Sequence, residues 1–315
     1  MIDAFKTEVA NGLNSNPKTL PSKYFYNAIG DALFVEIMNL PEYYLTRSEL
    51  DIFKNKTEDV INALQINLNS HFDLIELGAG DGLKTKELLK SLVKQDYKFN
   101  YLPVDISSNA LHLLEQDLSK TLPNLSVKTQ QGDYFQILAS LKENNTPKVI
   151  LFLGSNIGNM NDERAAKFIY NLGANLKPGD QLLLGVDLIK SKAIVLPAYD
   201  DSKGVTAKFN LNLLHRINEE LDGDFNLNTF KHQPEYDEKE GIAKSYIAST
   251  IDQTVTIKAI GKSYDFKAGE KIHTEISRKY NDALVQKIIT NTDFKLTTKI
   301  LDSKAYFADY ILTRH

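Results

Sequence analysis

Between residues 53 and 190 the chain alternates short apolar runs with stretches that repeat apolar residues at helical spacing. The continuous apolar runs are typical of strands buried on both faces, and the intervening stretches are typical of amphipathic helices. Five such strands, four of them followed by helices, predict a mainly parallel α/β sheet with right-handed crossovers. The strand segments are FDLIEL, NYLPVD, LSVKTQQ, KVILFL and QLLLGV.

After Lys190 the pattern changes. Helix-like segments such as VTAKFNLNLLHRINEEL alternate with strand-like segments such as KSYIASTIDQTVTIKAI, which indicates a separate, mixed α+β lobe. The closing stretch FKLTTKILDSKAYFADYILTRH predicts two strands around a short turn, an antiparallel edge for the main sheet. We therefore expect one domain of residues 53–189 and 281–315, and a second domain of residues 1–52 and 190–280.

The first strand ends in a glycine-rich turn. Gly78, Gly80 and Gly82 separate the strand from the next helical segment, and such a turn offers a ligand backbone N–H groups at a helix N-terminus. A dinucleotide fingerprint would need a further glycine at position 83, where the chain has Leu83. The spacing Glu76-x-Gly-x-Gly-x-Gly instead favours a site for S-adenosylmethionine (SAM). The alternative is a glycine turn that binds no ligand.

Polar residues follow the later strands, where an open α/β sheet binds its ligands. Asp105 ends the second strand and could accept hydrogen bonds from ribose hydroxyls, or else cap a helix. Asp133 and Tyr134 follow the third strand, where they could contact an adenine ring. The turn GSNIGN follows the fourth strand, at the place expected for a methyl acceptor. Its Asn159 is a candidate substrate contact, with a helix cap as the alternative.

Composition narrows the classes of function. The 315 residues carry a net charge of −4 and no run of Lys or Arg, which disfavours nucleic acid as a partner. The absence of cysteine excludes disulfides, zinc–thiolate sites and thiol nucleophiles, and the six histidines show no metal-ligand spacing, so we expect no metal. An apolar leader and a run of membrane-spanning length are both absent, and we expect a soluble, cytoplasmic protein.

Methyl transfer from a sulfonium is compatible with this inventory, because it needs neither a metal nor a covalent intermediate. It needs a neutral nucleophile held in line with the S–CH₃ bond, so that positioning and electrostatics carry the catalysis.

Along nearly its whole length the chain resembles the histidine Nα-methyltransferases of ergothioneine biosynthesis. Several matching stretches lie outside the expected cofactor core. They are PKTLPSKYFYNAIGDALFVEIMNLPEYYLTRSEL, ELGAGDGLKTKELL, YLPVDIS, FLGSNIGN, LLLGVDLIK, AYDDSKGVTAKFNLNLLHRINEEL and IHTEISRKY. The resemblance implies a SAM-binding, Rossmann-like domain and a second, substrate-binding domain formed by the N-terminal segment and a long insertion.

The resemblance also implies roles for individual residues. Cofactor contacts would be Tyr26, Gly78, Gly80, Lys84, Asp105, Asp133 and Tyr134. Substrate contacts would be Tyr43, Gly154, Asn159, Tyr199, Ser245, Glu275 and Ser277, with Tyr43 and Asn159 as the catalytic candidates. In this picture Asn159 and the tyrosines hold the α-amino and α-carboxylate groups. Glu275 and Ser277 would bind the imidazole, since residues two apart on a strand share one face.

Two positions depart from the family pattern. Leu45 follows PEYY where the family usually has proline, a difference that we expect to be structural only. Ser245 stands where the family's histidine pocket tends to have methionine, which would leave a roomier or more polar pocket.

The leading hypothesis is therefore a monomeric SAM-dependent enzyme that methylates the α-amino group of free L-histidine up to the trimethyl betaine and releases S-adenosylhomocysteine. One alternative is an enzyme for another or modified amino acid, such as tryptophan. The other is a catalytically idle SAM-binding module that serves as an interaction partner.

Overall fold

The computed structural model describes residues 2–315, which form two compact units. We call them the small-sheet unit, which comprises residues 2–44 and Lys190–Arg278, and the large-sheet unit, which comprises Leu45–Ile189 and Lys279–His315. Along the chain, the second segment of the small-sheet unit interrupts the large-sheet unit.

Most helices bury one apolar face and leave the other face polar. Within residues 2–315 the α-helices are α1 (Ile2–Asn14), α2 (Ala28–Met38), α3 (Leu45–Asn55), α4 (Thr57–Leu64), α5 (Thr85–Lys94), α6 (Ser108–Thr121), α7 (Tyr134–Leu141), α8 (Asp162–Gly173), α9 (Lys192–Val195), α10 (Val205–Leu221) and α11 (Asp282–Ile289), and the 3₁₀ helices are Ser22–Phe25, Asn156–Asn159, Leu196–Ala198 and Leu227–Thr229. None of the helices described has the length and apolar character that crossing a bilayer requires.

The strands form one large sheet and two small ones. They are β1 (Phe72–Leu77), β2 (Phe99–Asp105), β3 (Ser126–Val127), β4 (Gln130–Gln131), β5 (Lys148–Phe152), β6 (Gln181–Asp187), β7 (Phe230–Asp237), β8 (Ile242–Ser249), β9 (Gln253–Ile257), β10 (Lys262–Phe266), β11 (Lys271–Arg278), β12 (Phe294–Leu301) and β13 (Phe307–Arg314).

The large sheet has the strand order β12-β13-β6-β5-β1-β2-β3, and β4 also pairs with β2. Strands β1 to β6 pair in parallel, whereas β13 pairs antiparallel with both β6 and β12. The predicted mainly parallel, Rossmann-like α/β sheet with an antiparallel closing pair is therefore confirmed. The predicted third strand is divided into β3 and β4, because its sequence SVKTQQ has few apolar side chains to bury at the sheet edge.

Helices cover both faces of the large sheet. Successive residues of β1 point to opposite faces, so Leu74 packs with α3, α4 and α5 while Ile75 packs in a second cluster with α8 and α11. Burial on both faces explains why β1, β5 and β6 are continuous apolar runs in the sequence.

Helix α3 belongs to the large-sheet unit, where it contacts β13. The sequence pattern had grouped residues 45–52 with the N-terminal segment. The helix buries Leu45, Ser48, Glu49, Ile52 and Phe53, a spacing that defines one helical face. A charged residue, Glu49, thus occupies an interior position.

The small-sheet unit combines a three-stranded antiparallel sheet, β11-β8-β7, with the β9–β10 hairpin. The core of this unit includes Phe209, Leu213 and Ile217 of α10, which are buried together with α1 and with Ile247 of β8. In β11 the register shifts between His273 and Glu275, which marks a β-bulge.

The start of α10 is fixed by Asp201. The carboxylate of Asp201 accepts hydrogen bonds from the backbone N–H groups of Val205 (2.9 Å), Thr206 (2.7 Å) and Lys203 (3.1 Å). Burial opposes ionisation of Asp201, but these hydrogen bonds outweigh it and lower its pKa.

We expect Asp201→Ala to lower the free energy of unfolding by about 2 kcal/mol, because helix N–H groups lose a charged acceptor. Since the pKa is depressed in the folded state, this contribution is present above the unfolded-state value of about 4 and is lost as the pH falls below it. Urea unfolding at pH 7 and at pH 3 measures the difference, with exposed Asp200→Ala as the control. Equal effects of the two substitutions at pH 7 would contradict the capping role.

Candidate active site

The predicted site residues fall into two sets, one in each unit. Gly78, Gly80, Lys84, Asp105, Asp133, Tyr134, Gly154 and Asn159 lie in the large-sheet unit, and Tyr26, Tyr43, Tyr199, Ser245, Glu275 and Ser277 lie in the small-sheet unit. The first set follows the carboxyl ends of parallel strands, the place where open α/β sheets bind ligands.

The turn after β1 has the left-handed backbone that favours glycine. Gly78, Gly80 and Gly82 have φ angles of 75°, 54° and 62°. A Cβ atom added to Gly78 would lie 2.8 Å from the Tyr134 hydroxyl oxygen, whereas a Cβ atom on Gly80 would meet no heavy atom within 4 Å. The turn therefore keeps its backbone open to a ligand at Gly80 and close to Tyr134 at Gly78.

Asp105 connects the end of β2 to this turn. Its Oδ2 accepts a hydrogen bond from the Gly80 N–H (3.3 Å), and its Oδ1 accepts one from the Ser107 N–H (2.9 Å). The N-cap of α6 is Ser107, so the capping alternative does not describe Asp105. A carboxylate held beside an open glycine backbone is suited to accept hydroxyl donors from a ribose.

Asp133 and Tyr134 lie at the start of α7. Asp133 is the N-cap, and its Oδ1 accepts hydrogen bonds from the N–H groups of Phe135 (2.9 Å) and Gln136 (3.2 Å). Burial, followed by the negative charges of Asp105 and Asp133, raises the pKa of Tyr134 to about 12. Tyr134 therefore presents a neutral phenol next to Gly78.

These groups fit the nucleoside part of SAM. Backbone open to approach at Gly80, a carboxylate at the end of β2 and a neutral aromatic side chain at the start of α7 are the groups that a ribose and a purine require. The contacts of Asp133 and Tyr134 with adenine stay predictions.

Lys84, which follows the glycine turn, forms a buried ion pair with Glu49 of α3. Burial opposes the charge on Lys84, but the charge of Glu49 and its hydrogen bond raise the Lys84 pKa. Both carboxylate oxygens of Glu49 also accept from the Gly154 N–H, at 2.8 and 2.9 Å. Glu49 therefore joins the glycine turn after β1 to the turn after β5.

Two further buried acids surround this pair. Burial raises the pKa of Glu76 to about 7, although Thr85 and Tyr101 donate hydrogen bonds to its carboxylate. Burial, and then the charge of Glu49, raise the pKa of Asp309 well above its usual range. The interior near Lys84 therefore favours a protonated Asp309.

The turn after β5 exposes the residues predicted to face an acceptor. Gly154 and Asn159 are exposed, whereas Ser155 is buried and its Oγ accepts a hydrogen bond from the Asp187 N–H of β6 (3.0 Å). The N-cap of α8 is Asn161, so Asn159 does not cap this helix. Asn159 is the exposed last residue of a short 3₁₀ helix, Asn156–Asn159, that follows the carboxyl end of β5.

In the small-sheet unit, Glu275 and Ser277 share one face of β11. Their partners across the sheet are Ser245 and Ala243 of β8. The hydroxyl of Tyr199 donates a hydrogen bond to Ser277 Oγ (2.8 Å). Four of the predicted substrate contacts, Tyr199, Ser245, Glu275 and Ser277, are thus brought together.

Neighbouring groups hold Tyr199 in place. The carbonyl of Tyr199 is 2.8 Å from His232 Nε2. Burial lowers the pKa of His232, so the neutral ring donates its Nε2–H to that carbonyl. Glu42 accepts hydrogen bonds from the N–H and hydroxyl of Ser202, which ties the segment before Tyr43 to the loop that carries Tyr199.

Tyr26 and Tyr43 belong to one aromatic group in the small-sheet unit. Both rings make edge contacts with Phe34, and Tyr26 also contacts Phe209. Burial of its hydroxyl, followed by the charge of Glu275, raises the pKa of Tyr26. Tyr26, which the resemblance assigns to the cofactor, therefore lies near an acid that the resemblance assigns to the substrate.

Two groups of functional candidates were absent from the sequence prediction. Glu49 and Asp309 are acids at buried positions of a helix and a strand. Asn210 is linked to Ser245 through Thr274, whose Oγ1 lies within hydrogen-bond distance of both Asn210 Oδ1 (3.2 Å) and the Ser245 carbonyl oxygen (3.0 Å). The signal that the sequence offers for these residues is a polar side chain at a position where the helix or strand pattern otherwise places an apolar one.

The chain matches the model of a family described as histidine-specific, SAM-dependent methyltransferases over residues 5–314. A protein of Mycolicibacterium smegmatis named histidine N-alpha-methyltransferase is 35% identical, over 88% of this chain and 85% of that protein. A Mycobacterium tuberculosis protein of the same name is 34% identical, over 90% and 86%. Ergothioneine biosynthesis protein 1 of Schizosaccharomyces pombe is 33% identical, over 94% of this chain and 39% of that protein.

We expect Gly78→Ala to weaken the binding of S-adenosylhomocysteine by about tenfold or more, because the added Cβ strains the turn and displaces Tyr134. Isothermal titration calorimetry measures the affinity. The control is Gly179→Ala, which introduces a side chain at a comparable φ of 91° with no heavy atom within 4 Å. If both variants bind like the wild type, the turn does not form the cofactor site.

Proposed function

The chain belongs to the histidine-specific, SAM-dependent methyltransferase family, and we propose that it methylates the α-amino nitrogen of free L-histidine as far as the trimethyl betaine. Its similarity to two proteins named histidine N-alpha-methyltransferase extends over most of both chains and supports this acceptor. The name of the Schizosaccharomyces pombe relative supports a role in ergothioneine biosynthesis.

The observation that carries the proposal is the shared face of Glu275 and Ser277 on β11, together with the hydrogen bond from Tyr199 to Ser277. The carboxylate of Glu275 would accept the N–H of an imidazole, and the hydroxyl of Ser277, which accepts from Tyr199, would donate to the other ring nitrogen. A phenyl ring offers no such donor and would leave the acid without its partner, at a cost of about 1–3 kcal/mol. This arrangement supports selection of histidine over phenylalanine.

The large-sheet unit supplies the groups for the cofactor. SAM, when bound, provides a methyl group on a positively charged sulfur that an amine nitrogen can attack. Asp105, which accepts from the Gly80 N–H, would accept the ribose hydroxyls, the glycine turn would let its backbone approach, and Tyr134 would contact the adenine. The Lys84 ammonium, whose pKa is raised, stays charged and binds a carboxylate.

The acceptor nitrogen needs a lone pair, so the ammonium form of histidine must lose a proton before transfer. We assign Asn159 to hold the amine through its side-chain oxygen, which directs the nitrogen lone pair. We assign Tyr43 to relay the proton to solvent: its hydroxyl oxygen receives the ammonium proton, directly or through a water molecule, as its own O–H proton passes to water. Substrate positioning by these groups is the main source of rate acceleration.

A modified or larger amino acid is the second candidate acceptor, and Ser245 is the observation that favours it. Ser245 is small and lies directly across from Glu275. A serine side chain is shorter than the methionine that the family tends to have there, which would leave room for a substituent on the ring of an acceptor.

An acceptor screen tests the proposed substrate. Purified protein with SAM is incubated with histidine, tryptophan and ring-substituted histidines, and S-adenosylhomocysteine release is measured. We expect the highest kcat/KM with histidine. Turnover of another amino acid with none of histidine would reject the substrate, and no turnover of any acceptor would support an idle binding module.

We expect Glu275→Ala to raise the KM for histidine about tenfold or more, because the imidazole N–H loses its acceptor. The affinity for S-adenosylhomocysteine should stay within about twofold of wild type, since the carboxylate serves the substrate only. Steady-state kinetics and calorimetry measure both quantities. The control is Glu235→Ala, which removes an exposed acid on the same small sheet. A loss of cofactor affinity in Glu275→Ala would contradict the assignment.

A further inference from the structure

Three ionisable residues from distant parts of the sequence meet in the interior of the large-sheet unit. They are Glu49 of α3, Lys84 before α5 and Asp309 of β13. Glu49 and Asp309 are fully buried, and the Lys84 side chain is 21% exposed. Only Lys84 among them has an expected role, as a cofactor contact.

We infer that Glu49 is a positioning residue that holds the Lys84 ammonium and the Gly154 turn in one fixed arrangement. The inference deepens the proposed function and rests on it, because it assumes that Lys84 faces the cofactor and that the Gly154 turn faces the acceptor.

The hydrogen bonds of Glu49 support this role. Both of its oxygens accept from the Gly154 N–H, and Oε2 also accepts from Lys84 Nζ. An ammonium has three N–H donors, of which Glu49 takes one. The remaining donors of the partly exposed Lys84 can bind the carboxylate at the amino-acid end of the cofactor. Glu49 thereby fixes the position of the Lys84 ammonium, from which the remaining N–H donors reach the cofactor.

The sheet leaves space for the carboxylate of Glu49 at Gly185 of β6. Any Cβ atom at this position would overlap Glu49 Oε1 and would lie 3.0 Å from Asp309 Oδ1. Gly185 and Asp309 are direct partners in the β6–β13 pairing. The missing side chain therefore creates the volume in which the two acids approach each other.

Asp309 completes the cluster as a neutral acid. Within residues 2–315 neither of its oxygens has a hydrogen-bond partner when it is treated as a carboxylate. Burial and the charge of Glu49 raise its pKa, which favours the protonated acid at this position beside Gly185. The cluster then contains one carboxylate and one ammonium, which avoids an uncompensated buried charge.

A double-mutant cycle tests the inference by binding alone. The dissociation constants of S-adenosylhomocysteine and of methylthioadenosine, which lacks the amino-acid end, are measured for wild type, Glu49→Gln, Lys84→Met and the double variant. We expect each single substitution to weaken S-adenosylhomocysteine about tenfold or more and methylthioadenosine less than about twofold. In the Lys84→Met background, Glu49→Gln should add little, because it acts through Lys84.

Two further variants separate positioning from general destabilisation. Glu87→Gln removes a partly exposed acid that pairs with Lys90, and it should bind both ligands like wild type. Asp309→Asn replaces a neutral acid by a neutral amide with N–H donors, and it should retain S-adenosylhomocysteine affinity within about twofold.

Equal losses for both ligands in Glu49→Gln, or additive losses in the double variant, would show a structural role and overturn the inference. Loss of affinity in Asp309→Asn equal to that in Glu49→Gln would overturn the neutral-acid assignment. If the wild type binds S-adenosylhomocysteine but Glu49→Gln matches it, the inference fails and the proposed function stands. If the wild type binds neither ligand, the proposed function itself fails.

Discussion

The carboxyl ends of the parallel strands bring charged groups into an apolar interior, and the cost of burying those charges shapes the large-sheet unit. Lys84 stays ionised there because Glu49 compensates its charge, and Glu49 in turn needs the Gly154 N–H and the space at Gly185. An uncompensated charge at this depth would cost several kcal/mol, so the helix, the glycine turn and three strands depend on one another. The position of α3 on the sheet follows from the same requirement, since it delivers Glu49 to this point.

The two units offer different chemical groups to a ligand. The large-sheet unit offers backbone, carboxylate and ammonium groups at strand ends, which suit the nucleoside and amino-acid parts of SAM. The small-sheet unit offers hydroxyl groups and one acid on the face of β11, next to a group of aromatic rings. The proposed nucleoside contacts rest on groups that a common fold can supply, whereas the proposed recognition of the imidazole rests on a few side chains such as Glu275.

Much of the fold follows from local sequence patterns. The apolar runs of β1, β5 and β6 and the left-handed glycines after β1 depend on neighbouring residues only, so they were predictable. The pairing of Glu275 and Ser277 on one face also follows from strand periodicity, although the bulge beside Glu275 does not. Glu49 was beyond sequence reasoning, because its partner Gly154 is 105 residues away and only the tertiary fold brings them together. Leu45 at the start of α3 was equally ambiguous, since helical periodicity does not show which unit a helix joins.

The central claim is that the methyl group is transferred to the α-amino nitrogen of histidine. The most direct measurement uses SAM with a ¹³C-labelled methyl group and locates the label in the product by two-dimensional NMR. Our account predicts that equivalent N-methyl signals couple to the α-CH and that the imidazole stays unlabelled. Label on an imidazole nitrogen would contradict it, because the ring would then face the methyl donor in place of the amine.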